Sequence, residues 1–174
     1  MDALIARIKE RVADPLRAVD AATWVCPMPT VAPPATTAEV DAAEVALGFA
    51  IPQFLRRLYT EVGNGGFGPE YGLEGVPTMP SVPGTADIVA LYRAYNWEPP
   101  PERPAHVWPV GWVPLISGGC NYIECVDFFR PPHAVALFDP DNGDAERPVV
   151  ESLRPVAGSL EARLEAWLAG KKLW

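Results

Sequence analysis

Three cysteines and two histidines are all that the 174 residues hold of thiols and imidazoles, the side chains that ligate transition metals and titrate nearest neutral pH. Cys26, Cys120 and Cys125 are odd in number and form no Cys-x-x-Cys pair, which argues against a disulfide framework or a zinc site and suits a reducing cytoplasm. Basic residues are also scarce, 14 Lys and Arg against 22 Asp and Glu, for a formal charge of -8. Phosphate backbones are repelled on average by such a chain, so direct nucleic-acid binding is not expected, whereas a basic protein partner is attracted. No apolar run approaches the roughly 20 residues that cross a bilayer, and "MDALIARIKERVADPLRAVD" puts charge into every turn where a signal peptide is uninterrupted. A soluble cytoplasmic protein without membrane association is expected.

Proline, by contrast, is abundant. "CPMPTVAPPATT" (26–37) has no helical or strand period and is expected to be a surface loop, too short to separate two domains. Before it, Leu4, Ile5, Ile8 and Val12 stripe one helix, and Asp14-Pro15 starts another turn. After it, Thr36 and Glu39 form a capping box for a helix carrying Val40, Ala43 and Leu47 and ending at Gly48. Pro52 suits the first position of a further helix, with Phe54, Leu55, Leu58, Tyr59 and Val62 at helical intervals and Gly63 as its stop.

The next residues raise a specific question, because "EVGNGGFG" (61–68) spells G-x-G-x-x-G. Dinucleotide binding needs those glycines between a strand and a new helix whose N-terminal amides face the phosphate. Here they follow a helix, and the proline-rich "PEYGLEGVPTMPSVPG" beyond supplies none. Asn64, Gly65 and Gly66 are read instead as positive-φ residues that turn the chain into an extended segment.

The ordered run "AEVDAAEVALGFAIPQFLRRLYTEVGNGG" (38–66), with Glu44, Leu47, Gly48, Ile51, Pro52, Leu55, Tyr59, Asn64, Gly65 and Gly66, resembles the signature of the SUKH superfamily, the Smi/Knr-type domains that include many bacterial immunity proteins. "WVPLISGGCNYIECVD" resembles that family's central strand pair, with Asn121 near a position where many members carry Asp or Asn. A C-terminal helix also has its counterpart, so the likeness spans most of 38–170. It implies a SUKH-like domain over 38–174, preceded by an N-terminal helix and proline-rich loop over 1–37, in one compact whole.

The remaining segments agree with an α+β fold, a mostly antiparallel central sheet with helices packed against it. "TADIVALYRAYN" is a helix capped at or beside Thr85, with Ile88, Leu91, Tyr92 and Tyr95 on one face. "GWVPLI" and "NYIECVDFF" form a hairpin across "SGGC", and the second strand is apolar on both faces, Ile123, Cys125 and Phe129 on one and Tyr122, Val126 and Phe128 on the other. Two more strands in "AVALFDPDNGDAERPVVESL" are joined across Asn142-Gly143. Leu160, Leu164, Trp167 and Leu168 stripe a last helix, from Ser159 to Gly170.

The chemistry-bearing residues form no recognised catalytic motif. His106 and His133 sit in proline-rich loops, Cys120 and Cys125 need not converge, and Ser117 beside glycines is no nucleophile elbow. "DPDNGDAE" fails as a calcium loop, with Asp144 at its sixth position and Val150 at its twelfth. No cofactor or metal is expected, and no enzyme. Instead the acids Asp139, Asp141, Asp144 and Glu146 are read as a solvated hairpin tip facing a partner, with Glu70, Glu74 and Trp97 as further contributors. Trp97, Trp108 and Trp112 lie among five prolines of 96–112, either as partner anchors or folded back over the sheet. What the resemblance implies is an immunity protein that binds and occludes a cognate toxin, such as a basic nuclease. A regulatory interaction domain without a toxin is the alternative, and a small hydrolase or ligand binder using Cys120, Ser117 or a histidine is the third.

Overall fold

The computed structural model describes residues 1–20, 30–78, 87–96, 107–142 and 148–173. Helix α1 (Asp2–Val12) buries Leu4, Ile5 and Ile8, and Asp14 caps a 3-10 turn (Pro15–Arg17) through the Leu16 N–H. The capping box at Thr36 and Glu39 is present at the start of α2 (Thr37–Leu47), and Gly48, in the left-handed region, ends it. Pro52 caps α3 (Gln53–Glu61) from one position before the helix, where its fixed φ and missing N–H cost nothing. Asp87, not Thr85, caps α4 (Ile88–Tyr95): its carboxylate accepts the N–H groups of Val89 and Ala90, and Thr85 lies outside the described residues.

Strands β1 (Trp112–Gly119), β2 (Tyr122–Asp127), β3 (Val135–Phe138) and β4 (Arg154–Ala157) form an antiparallel sheet in that order. The first hairpin turns at Cys120-Asn121, with φ of 47° and 68°, and not across Ser117–Cys120, whose first three residues belong to β1. The other pair is not a tight hairpin, since β3 ends at Phe138 and β4 starts at Arg154, and Gly143 of the expected Asn142-Gly143 turn lies outside the described residues. Asp139 caps a 3-10 turn (Pro140–Asn142), and a short helix α5 (Val149–Ser152) precedes β4. Finally α6 (Leu160–Leu168), capped by Ser159, buries Leu160, Arg163, Leu164 and Trp167.

Side chains of a strand alternate between its faces. On β2, Glu124 meets Arg163 of α6 while Cys125 lies beside Tyr95 of α4, so helices cover both faces of this central strand. Ring contacts of Tyr95 and Trp108 with Phe138 continue the α4 side. The N-terminal helix joins the same core and lies along α6: Arg11 stacks over the Trp167 ring at 4.2 Å and donates to the Trp167 carbonyl at 2.8 Å. Phe129, expected in the core with Cys125, falls beyond the end of β2 and is half exposed.

After α3 the chain becomes a strap, residues 71–76, that covers the outer edge of β1. Tyr71 N–H donates to the Ser117 carbonyl and Glu74 N–H to the Leu115 carbonyl. On its other side, the Gly75 carbonyl accepts the Ile88 N–H at the start of α4. The glycine run 63–68 feeds this strap. Gly65 and Gly66 have φ of 86° and 78°, and a Cβ on Gly65 would stand 2.7 Å from the Leu73 carbonyl oxygen. Asn64 is not left-handed but works through its side chain, which donates to the Val76 carbonyl and accepts the Val76 N–H, both at 2.8 Å. The N–H groups of Gly63, Asn64, Gly66 and Gly68 all bond backbone carbonyls, so the loop is a chain crossing and not a phosphate cradle.

Candidate protein-binding surface

The family-signature residues build the scaffold, and of them only Gly48 is exposed, where it ends α2. Glu44 accepts the Ile51 N–H at 2.9 Å and holds Arg56 at 2.9 Å, which locks the α2–α3 corner. Leu47 and Pro52 are buried, and Gly48, Asn64, Gly65 and Gly66 set the backbone path described above.

The acids expected at the binding face have separate surroundings. Asp139 is only 2% exposed: its carboxylate accepts the Asp141 N–H at 3.0 Å and lies 3.9 Å from Arg154. It is a turn cap and not a solvated tip, which corrects its place on the surface. Asp141 is exposed, as expected, whereas Asp144, Glu146 and Trp97 fall outside the described residues. Glu70 is half-buried 3.6 Å from Arg163, and burial pushes its carboxyl up. Glu74, on the strap, is pushed up to about 7 by burial first and by the nearby Asp87 second. Glu70, Glu74 and Asp139 therefore face Arg163, Asp87 and Arg154 respectively, and do not share one patch.

The groups considered for catalysis do not meet. Cys120 lies at the β1–β2 turn and His133 after the other end of β2, so a strand's length separates them. Cys125 is buried, and desolvation raises its thiol well above the ordinary range. Ser117 is in β1, where its carbonyl accepts from the strap, and His106 is outside the described residues. Among the described residues no group of three or more His, Cys, Asp or Glu could hold a metal ion, and no helix is long and apolar enough to cross a membrane.

Two surface features escaped sequence reasoning. A groove of about 400 Å³ opens at the β3–β4 side of the sheet, walled by Trp112, Ala136, Val150, Leu153 and Val156. Next to it the β2–β3 loop projects Phe129 and Arg130. Of the tryptophans in the proline-rich insert, Trp108 is folded into the core and donates its indole N–H to the Trp112 carbonyl at 2.7 Å, while Trp112 forms one groove wall.

Compared with known proteins, residues 34–165 match the model of the SMI1 / KNR4 family (SUKH-1). The match covers more than half of the chain, which therefore belongs to that family. No curated protein matches it.

Proposed function

We propose that this SUKH-1 chain is an immunity protein that neutralises a cognate bacterial toxin by binding it and covering its working surface. The observation that carries this reading is the family match over 34–165, because SUKH proteins are typically toxin immunity proteins. The physics is consistent with it. Occlusion needs an accessible, complementary surface and no catalytic group, and a charge of -8 steers a basic partner, such as a nuclease with a cationic substrate groove, toward the chain. Asp141, exposed beyond β3, with Asp144 and Glu146 just after it, is the proposed contact, and Trp97 a further one. Asp139 drops out because its carboxylate is turned inward.

The test is capture of partners from the cells that make this chain, at low and high ionic strength, followed by stopped-flow association with the purified partner. A tight, salt-sensitive toxin complex is expected. The triple charge reversal Asp141→Lys, Asp144→Lys, Glu146→Lys should slow association at low salt by about tenfold or more. An unchanged rate removes this surface, and capture of a non-toxin protein or a small molecule instead overturns the immunity reading.

A further inference from the structure

The β2–β3 loop is held from within. Asp127, almost wholly buried, accepts the N–H groups of Phe129 at 2.9 Å and Arg130 at 3.1 Å, the His133 N–H donates back to the Arg130 carbonyl at 2.8 Å, and His133 Nδ1 lies 2.9 Å from the Asp127 carbonyl oxygen. What this pinned loop presents outward is apolar and cationic: Phe129 is 50% exposed and the Arg130 side chain 82%. Phe129 is also fixed from behind. Its ring meets Phe49 edge-on at 5.1 Å and lies so close over Gly111 that a Cβ there would come within 2.8 Å of it. The Arg130 guanidinium lies 3.5 Å from the Asp127 carboxylate, so a ring packed from behind and a tethered arginine, residue types that anchor interfaces, stand together on this loop.

The groove lies beside this projection. Trp112, the residue after Gly111, is its near wall, and Val150, 51% exposed, stands on α5 opposite. Glu151 is exposed on that same short helix. The Gly111-Trp112 step thus joins an apolar knob followed by an arginine to an apolar recess whose wall residue Val150 is followed by an acid. Phe129 cannot fill its own groove while Phe49 and Gly111 hold it, so a Phe129 seated there has to come from another molecule.

We propose that the occupant of the groove is a second copy of this chain. Two copies related by a twofold axis each seat Phe129 in the other's groove and bring Arg130 against the other's Glu151. Because knob and groove share the Gly111-Trp112 step, one axis beside that step serves both contacts, as an isologous interface requires. A groove of about 400 Å³ is of small-ligand size and accommodates one benzyl side chain. Pairing of two β4 strands is the poorer alternative, since β4 has four residues and Pro155 among them lacks an N–H.

Sedimentation velocity of the purified full chain over a concentration series tests it, with circular dichroism to confirm that each variant is folded. The chain is expected to dimerise. Phe129→Ala and Val150→Asp should each weaken the dimer by more than about tenfold, whereas Leu16→Asp, at an exposed site on the 3-10 turn after α1, should not. Arg130→Glu and Glu151→Arg should each weaken it alone, and one chain carrying both should recover it. A monomer at every concentration, a dimer indifferent to Phe129 and Val150, or a double swap that stays dissociated overturns the proposal. None of these results bears on whether a toxin is bound.

Discussion

Arg163 of α6 grips Glu124 of β2 with two donors, Nη2 to Oε1 at 2.7 Å and Nε to Oε2 at 2.8 Å, and both side chains are essentially removed from solvent. Glu70 stands 3.6 Å from the same guanidinium, at the less buried side of the pair. Removing one partner of such a pair leaves a buried charge, so Glu124→Ala should cost about 3 kcal/mol, toward the low end of the usual range because Glu70 remains. Arg163→Ala should cost as much or more, since Glu124 and Glu70 then lose the guanidinium that lies against both carboxylates. Replacing both by leucine should come much closer to neutral. Urea unfolding of the four proteins gives the comparison, and equal, additive losses would show that the pair does not act as a unit.

Glu74 makes stability depend on pH in a direction opposite to that of most carboxylates. Its folded pKa, about 7, lies above the unfolded value near 4.5, because the strap buries it beside Asp87. The folded state therefore binds the extra proton. The stability tied to it is fully present below about pH 4.5 and is lost as pH rises through about 7. At about 1.4 kcal/mol per unit the full shift corresponds to about 3 kcal/mol, which partial exposure reduces to about 1 to 2. Glu74→Gln should flatten the pH dependence between 5 and 8 and stabilise the protein most at pH 8, read by urea midpoints across that range. A wild-type midpoint that rises steadily from pH 5 to 8, with no difference in the variant, would contradict this.

The parts of the fold legible in the sequence are those that local rules decide. The capping box of α2, its left-handed Gly48 and the stripes of α1, α3 and α6 depend on residues within a few positions of one another, and each is present. The failures are of two kinds. Asn142-Gly143 carries a strong hairpin signal, but Asp139-Pro140 three residues earlier sets up a capped 3-10 turn, and β4 forms where β3 offers a partner instead of where the turn residues point. Glu124 and Arg163, 39 positions apart, each look like an ordinary polar residue until the fold brings them together. Asp139 misled for the same reason: an acid after a strand is indistinguishable, in sequence, from one at a solvated tip. The groove and the Phe129 projection depend on which residues lie beyond strand ends, and those boundaries are the least local property of all.

The Asn64 clamp offers the most direct check on how the glycine run works. Its amide satisfies both the N–H and the carbonyl of Val76, buried groups that have only this side chain opposite them in the described hydrogen bonds. Asn64→Ala leaves both unsatisfied and should cost about 2 to 4 kcal/mol, at about 1 to 2 per orphaned group. Asn64→Asp keeps the acceptor but sets a carboxylate oxygen against the Val76 carbonyl, so its loss should be greater at neutral pH than at pH 3, where a protonated carboxyl can donate again. Gly65→Ala attacks the same crossing through the backbone, by a positive φ and a contact of 2.7 Å with the Leu73 carbonyl, and should be at least as damaging. If instead the run served to bind an anion, phosphate would raise the melting temperature of the wild type and these variants would abolish that rise. The paired amides of Gly63, Asn64, Gly66 and Gly68 lead us to expect no such rise, and a loss of stability in the variants that is the same with and without phosphate.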